Sequence, residues 1–245
     1  MLILGLDAAS DRNKFGYAVG TLNGSKIELV DAGLLGGPSR TAELAREIGA
    51  AAKSTRVLVA VDAPLGWPNA MSSVVTHRAG ERIASTKDEM FRRLTDRRLR
   101  TEAGGKHQPL EIGADKIARA AHEALTVIDE LRAGSGLDLP MVWEPTFVGN
   151  GLIEVYPAAT LRACGVSPKK YKDKDAAEVR LGLANSLMAQ IDGLGRICGG
   201  SSDAFDAALC LVAAADFLLG RCQPPAPGEM DLAMKESWIW VRTRD

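Results

Sequence analysis

The chain has 245 residues, 46% of them hydrophobic and 25% charged, with a net charge of -1 at pH 7, which fits one large soluble α/β domain, or one core carrying an insertion. So balanced a charge gives no overall pull toward nucleic acid, and any basic surface must be local. Four cysteines (Cys164, Cys198, Cys210, Cys222) without CxxC spacing, and three histidines without ligand spacing, argue against a zinc site and for a reduced, cytoplasmic setting. No run approaches the ~18 apolar residues of a membrane span, and LILGLDAAS does not fit a signal peptide, so a soluble protein is expected.

The first third reads as a β-rich unit. Strands are expected over Leu2 to Asp7, Gly16 to Leu22 and Lys26 to Ala32, the last two joined by the hairpin signal Asn23-Gly24. Ser39 or Thr41 would cap a helix over Ala42 to Lys53, and Val57 to Asp62 follows as a fourth strand. Three hairpin-connected strands, a helix and a parallel strand form the opening of a ribonuclease H-like topology.

After Asp62 the prolines of Ala63-Pro64-Leu65-Gly66-Trp67-Pro68 forbid a continuing strand. Residues 67–150 read as a largely helical insertion, with helices over Thr86 to Arg100 and Gly113 to Ala133, the second stopped by Gly134-Ser135-Gly136. A strand returns at Leu152 to Tyr156, and helices follow over Ala158 to Cys164, Asp175 to Ile191 and Ser202 to Leu219. The proline-bearing tail from Gln223 reads as a surface strap. The expectation is one domain over 1–245: a mixed sheet of three antiparallel strands then parallel strands, flanked by helices.

The acids stand where this topology concentrates chemistry. LILGLD and VLVAVD are apolar throughout and stop on Asp7 and Asp62, so each charge sits at the mouth of a sheet buried on both faces. Turn capping is the competing explanation, strongest for Asp62 before Ala63-Pro64. Glu154 interrupts the apolar strand GLIEV. Asp203 and Asp206 share a face of SSDAFDAALCLVAAADFLL; Asp203 is well explained as a first-turn acid, whereas Asp206 continues an apolar face. Asp7, Asp62, Asp203 and Asp206 are the candidate ligands of Mg2+ or Mn2+, and Asp7, Asp62, Glu154 and Asp206 the candidate catalytic set. Several carboxylates delivered by different elements repel one another unless divalent cations fill the cluster, as in two-metal hydrolysis of phosphodiesters.

A basic surface would have to accompany such a site. KDEMFRRLTDRRLR holds the densest basic stretch, with Lys106 and His107 just beyond, and Arg93 and Arg97 are expected on one helix face toward nucleic-acid phosphates. Lys169-Lys170-Tyr171-Lys172 is a weaker candidate. The bland alternative for both is a solvated charged surface.

The ordered set GLDAA, VAVDAPLG, FRRLTDRRLR, IEVYPAATL, a YK…R segment and SSDAFDAALCLVAA resembles the domain-of-unknown-function 429 family over nearly the whole chain. The resemblance implies a ribonuclease H-like sheet, a divalent-metal site and a predicted nuclease activity on DNA or RNA. It supports Asp7, Asp62, Glu154 and Asp206, and implies that Thr95, Asp96, Lys172 and Arg180 are polar residues near the site. Two other readings are open: an actin-like or sugar-kinase-like ATP-dependent phosphotransferase, which shares the strand-hairpin opening, and a non-catalytic nucleic-acid-binding module.

Overall fold

The computed structural model describes residues 1–102, 108–113 and 115–243. Strands β1 (Leu2–Asp7), β2 (Gly16–Asn23) and β3 (Lys26–Leu34) form an antiparallel meander, and β4 (Val57–Asp62) and β5 (Gly151–Glu154) add in parallel beyond β1. A two-residue strand β6 (Ile191–Asp192) pairs in parallel with β3, giving one six-stranded sheet in the order β5-β4-β1-β2-β3-β6. This is a ribonuclease H-like mixed sheet. β6 takes the end of the helix expected over Asp175 to Ile191, which is confined to α6 (Ala177–Ser186).

Strand alternation sorts the core into two layers. Leu4, Leu6, Val57, Val59 and Val61 face α1 (Pro38–Ala51) and α4 (Asp115–Ser135), packing on Leu44, Ile48, Val127 and Leu131. Ile3, Ala18, Leu58, Ala60 and Ile153 face the other way, onto α7 (Ser202–Leu218), which is buried along nearly its whole length. The periodicity of two therefore assigns every side chain of β1 and β4 to one layer. Helix α1 starts earlier than its sequence suggests: Gly37 precedes it and Pro38 opens it, so Ser39 and Thr41 lie inside the first turns rather than capping them.

The helix expected over Thr86 to Arg100 is broken into α2 (Lys87–Phe91) and α3 (Leu94–Glu102). Thr86 and Glu89 form a capping box on α2, and Asp96 accepts from the Arg93 backbone N–H at 2.9 Å to start α3 anew. Helix α4 ends at Ser135, with Gly136 left-handed. Helix α5 (Pro157–Ala163) begins on the proline that ends the β5 segment. The C-terminal segment is not a surface strap. After α8 (Met230–Glu236), Trp238, Ile239 and Trp240 are buried, and the Trp240 N–H donates to the Glu154 carbonyl at 3.0 Å.

Helix α7 lies directly on the sheet backbone. A Cβ built on Gly5 would stand 2.1 Å from the Ala207 carbonyl oxygen, and one on Gly16 would stand 2.1 Å from that of Asp203. Only glycine permits this approach, and backbone atoms on a buried helix cannot yield to a methyl group. Gly5→Ala is therefore expected to destabilise the fold by about 1–3 kcal/mol, as overpacked cores do. Denaturant unfolding measures it; a variant as stable as wild type would contradict the contact.

Candidate functional site

Asp7 and Asp62 are direct partners in the parallel pairing of β1 with β4. Both belong to the face of Ile3, Gly5 and Ala60, the face covered by α7, so they emerge side by side at the carboxyl end of the sheet. Asp206 comes down on them from the first turns of α7 and is fully buried. Its Oδ1 accepts from the Tyr171 hydroxyl at 2.7 Å, and its Oδ2 is ion-paired with the Lys172 ammonium. Arg180 fixes the segment that supplies those two groups. Its buried guanidinium donates to the carbonyls of Tyr171 (2.8 Å) and Asp173 (3.3 Å), and to those of Cys198 (2.7 Å) and Gly200 (3.2 Å) just before α7.

The three carboxylates disturb one another. Burial pushes the Asp7 carboxyl well above the usual range, and the charges of Asp206 and Asp62 push it further while Lys172 opposes them. Burial raises Asp62 to about 7, with Lys172 lowering it and Asp206 and Glu154 raising it. Burial also raises Asp206, against the lowering effect of Lys172 and Tyr171. One nearby ammonium thus faces three acids, Asp7 and Asp206 buried and Asp62 half-buried. Asp203 contributes to the repulsion, but its own carboxylate accepts from the Ser201 hydroxyl at 3.1 Å at the start of α7. Among the described residues, no three acidic, histidine or cysteine side chains surround a common position as metal ligands would.

Glu154 stands apart from this cluster. It pairs with Val61 rather than Asp62, and so falls on the opposite sheet face with Leu152. Its Oε1 accepts from Arg93 Nη2 at 2.7 Å, and its Oε2 accepts from Arg93 Nη1 at 2.8 Å and from the Leu65 N–H at 3.1 Å. The last bond ties down the turn that follows Asp62. Glu154 therefore reaches the site through the backbone after Asp62.

Arg93 was expected to face a phosphate, but it is 1% exposed and precedes α3 rather than lying on it. All five of its N–H groups are used: three bonds to Glu154 and the Glu236 carbonyl, and two side-chain bonds to Asp96 at 2.9 and 3.0 Å. It has no donor left for a nucleic-acid strand. Asp96 is the other half of this buried ion group, and Thr95 accepts from the Ile239 N–H at 3.0 Å. Glu236, for which the sequence carries no signal, accepts from Asn69 N–H and Leu94 N–H, both at 2.6 Å. Arg97 donates to the Arg92 carbonyl at 2.7 Å and makes no ion pair among the described residues. Arg92, Arg98 and Arg100 pair with acids of the same region, and Lys106 and His107 lie outside the described residues.

The two buried charge groups have distinct consequences. Arg93→Met would leave Glu154 and Asp96 unpaired in the interior, a change that costs about 3–5 kcal/mol in buried ion pairs. Chemical unfolding should show that loss, and a change below about 1 kcal/mol would contradict the assignment. The carboxylate cluster acts in the opposite sense. Because the folded-state values of Asp7, Asp62 and Asp206 lie above their unfolded ones, the stability tied to their protonated forms is present at acid pH and lost as pH rises, for Asp62 through about 7. In the absence of divalent ions the melting temperature should fall between pH 5 and pH 8. Asp7→Asn should flatten that fall and melt higher than wild type at pH 8; a profile as steep as wild type's would count against mutual repulsion.

Among solved structures, the chain is similar to that described as Thermus thermophilus RuvC structure, at 12% identity and a TM-score of 0.40, covering 92% of this chain and 100% of that one. It is also similar to T. thermophilus RuvC in complex with Holliday junction substrate, at 11% identity and a TM-score of 0.39, covering 92% and 99%. At that distance neither transfers a residue role to this chain. No curated protein matches it. No helix among the described residues is long and apolar enough to cross a membrane. The family model described as Protein of unknown function (DUF429) matches residues 5–230, nearly the whole length, and the chain belongs to that family.

Proposed function

We propose that the protein is a divalent-metal-dependent nuclease that hydrolyses phosphodiester bonds of DNA or RNA at Asp7, Asp62 and Asp206. One observation carries the reading: carboxylates from β1, β4 and α7 meet at one end of the sheet, Asp7 and Asp206 buried and Asp62 half-buried, with the Lys172 ammonium set against them. The donors are all carboxylate oxygens, which suit Mg2+ or Mn2+ rather than softer metals. The fit is one of donor type and charge. As the side chains stand, Lys172 supplies the positive charge that a metal would supply.

Asp7, Asp62 and Asp206 would hold the ion, with Asp203 at the edge of the set. When bound, it would stabilise charge on the scissile phosphate and make an attacking water more acidic. The chain's own groups do the rest. Tyr171 holds Asp206 in one rotamer through its 2.7 Å hydrogen bond. Arg180 keeps Tyr171 and Lys172 registered against the start of α7. Glu154, clamped by Arg93, fixes the turn after Asp62 through the Leu65 N–H. Lys172, whose side chain is 58% exposed, has room to leave Asp206 and turn to a phosphate oxygen.

The test combines binding and turnover. Wild type should bind Mn2+ in solution and cleave labelled single- or double-stranded oligonucleotides with Mg2+ or Mn2+. Asp7→Asn and Asp206→Asn should lower cleavage at least ~100-fold, the scale on which losing transition-state charge stabilisation is felt. Lys172→Met should bind Mn2+ more tightly than wild type, because the competing charge is gone. No cleavage of any oligonucleotide with either ion, or unimpaired cleavage by Asp7→Asn, would overturn the proposal. Saturable ATP binding without oligonucleotide affinity would favour a phosphotransferase.

A further inference from the structure

The segment Lys169-Lys170-Tyr171-Lys172-Asp173-Lys174 forms a bend against the carboxylate cluster, and its charges fare differently from those of the arginine segment. Arg92, Arg93, Arg98 and Arg100 each meet an acid. Lys169, Lys170 and Lys174 are exposed, and their side chains make no ion pair or hydrogen bond among the described residues. Lys172 is set against Asp206. Asp173 and Asp175 are interleaved and exposed, but neither is ion-paired with a lysine of the bend. With Lys172 counted against Asp206, three lysines stand beside two aspartates, a surplus of one charge. So small a surplus makes a weak field, and what singles out the bend is where its ammonium groups are held.

Tyr171 is buried between exposed Lys170 and Lys172, and its hydroxyl donates to Asp206 Oδ1 at 2.7 Å. Buried Arg180 donates to the carbonyls of Tyr171 at 2.8 Å and Asp173 at 3.3 Å. The bend is thereby fixed to the first turns of α7. Lys169 and Lys170 come just before the residues that touch Asp206, and Lys174 just after them. Lys170 has a φ of 61°, in the left-handed region, and its carbonyl accepts from the Asp173 N–H at 3.2 Å to close the turn. Glycine takes this conformation without a Cβ penalty, so a long cationic side chain is carried here against the local backbone preference. Phosphates recur every ~3.4 Å of axis along a strand, so lysines gathered in one short bend can meet several of them.

We propose that this bend is the strand-binding surface of the carboxylate site: Lys169, Lys170 and Lys174 take backbone phosphates neighbouring the one hydrolysed, so the substrate is a polynucleotide and not a mononucleotide. The choice of partner rests on the hydrolytic reading of Asp7, Asp62 and Asp206. Lysine suits the task, because a compact ammonium on a flexible stem follows a phosphate without demanding one geometry. Contacts of this kind position a strand without reading its bases, and they weaken as salt rises.

Fluorescence anisotropy of the full chain with a labelled single strand of about 20 nucleotides, in EDTA and across about 50 to 200 mM salt, reads these contacts without turnover. Wild type should bind, and a mononucleotide should not compete where unlabelled strand does. The triple variant Lys169→Gln, Lys170→Gln, Lys174→Gln should bind at least ~10-fold more weakly at about 100 mM salt. Its log–log salt slope should be shallower by about 2, since each single-strand phosphate contact contributes ~0.7. Lys170→Gly should melt no lower than wild type, because the left-handed turn favours glycine, yet bind more weakly. Lys53→Gln removes an exposed lysine before β4, at the opposite end of the sheet, and should bind as wild type does. A wild type that does not bind the strand, or a triple variant with unchanged affinity and slope, overturns the proposal. Should the triple variant not fold, Lys170→Gly decides alone, and unchanged affinity overturns it. Cleavage assayed alongside separates the two readings. Hydrolysis with lysine-independent binding would overturn this surface and leave the nuclease standing, whereas lysine-dependent binding without hydrolysis would support the surface and overturn the nuclease.

Discussion

The contact between α7 and the backbone of β1 and β2 governs the rest of the molecule. Glycines at positions 5 and 16 let the helix settle onto the strands, with the carbonyls of Ala207 and Asp203 where side chains would otherwise stand. That approach brings Asp206 down to the carboxyl ends of β1 and β4, where Asp7 and Asp62 already sit side by side. The helix is apolar almost all round, so burying it drives the association, and Asp206 is carried along. A carboxylate in such a place is costly unless some cation answers it. Lys172 is that cation, delivered by a segment that Arg180 holds in position.

Two of the protein's groups of buried charge are built on opposite principles. Around Arg93 the hydrogen bonding is complete: five donors meet acceptors on Glu154, Asp96 and the Glu236 backbone, and the group joins β5, α3 and the C-terminal segment. Such a group is fixed, because moving any member strands the others. Around Asp7, Asp62 and Asp206 the balance is incomplete, and burial and repulsion both raise the cost of ionisation. Perturbed, under-compensated carboxylates of this kind collect where a fold does chemistry. Glu154 links the two groups, belonging by its bonds to the first and acting on the second through the turn after Asp62.

The arginine-rich segment shows why a charge run is a poor guide to a binding face. Arg92, Arg93, Arg98 and Arg100 each find an acid close in the fold, partly because Asp88, Asp96 and Glu102 are interleaved among them. Net local charge therefore dissipates within the segment.

What the sequence by itself determined was local and periodic. Apolar runs ending in Asp7 and Asp62 fix two strands, their direction and the side on which each acid emerges, since alternation depends only on neighbouring residues. The same reasoning located α7 and separated Asp206 from the first-turn acid Asp203. The tertiary structure alone decided which charges meet. Arg93 and Glu154 lie 61 residues apart, and Asn69 and Glu236 167 apart, so no spacing rule could pair them. Nor could composition tell that the proline-bearing tail turns inward at Trp238 and Trp240, because that depends on an apolar groove left open beside β5 and α7. Periodicity is written along the chain, whereas charge compensation is settled only when distant segments are brought together and deprived of water.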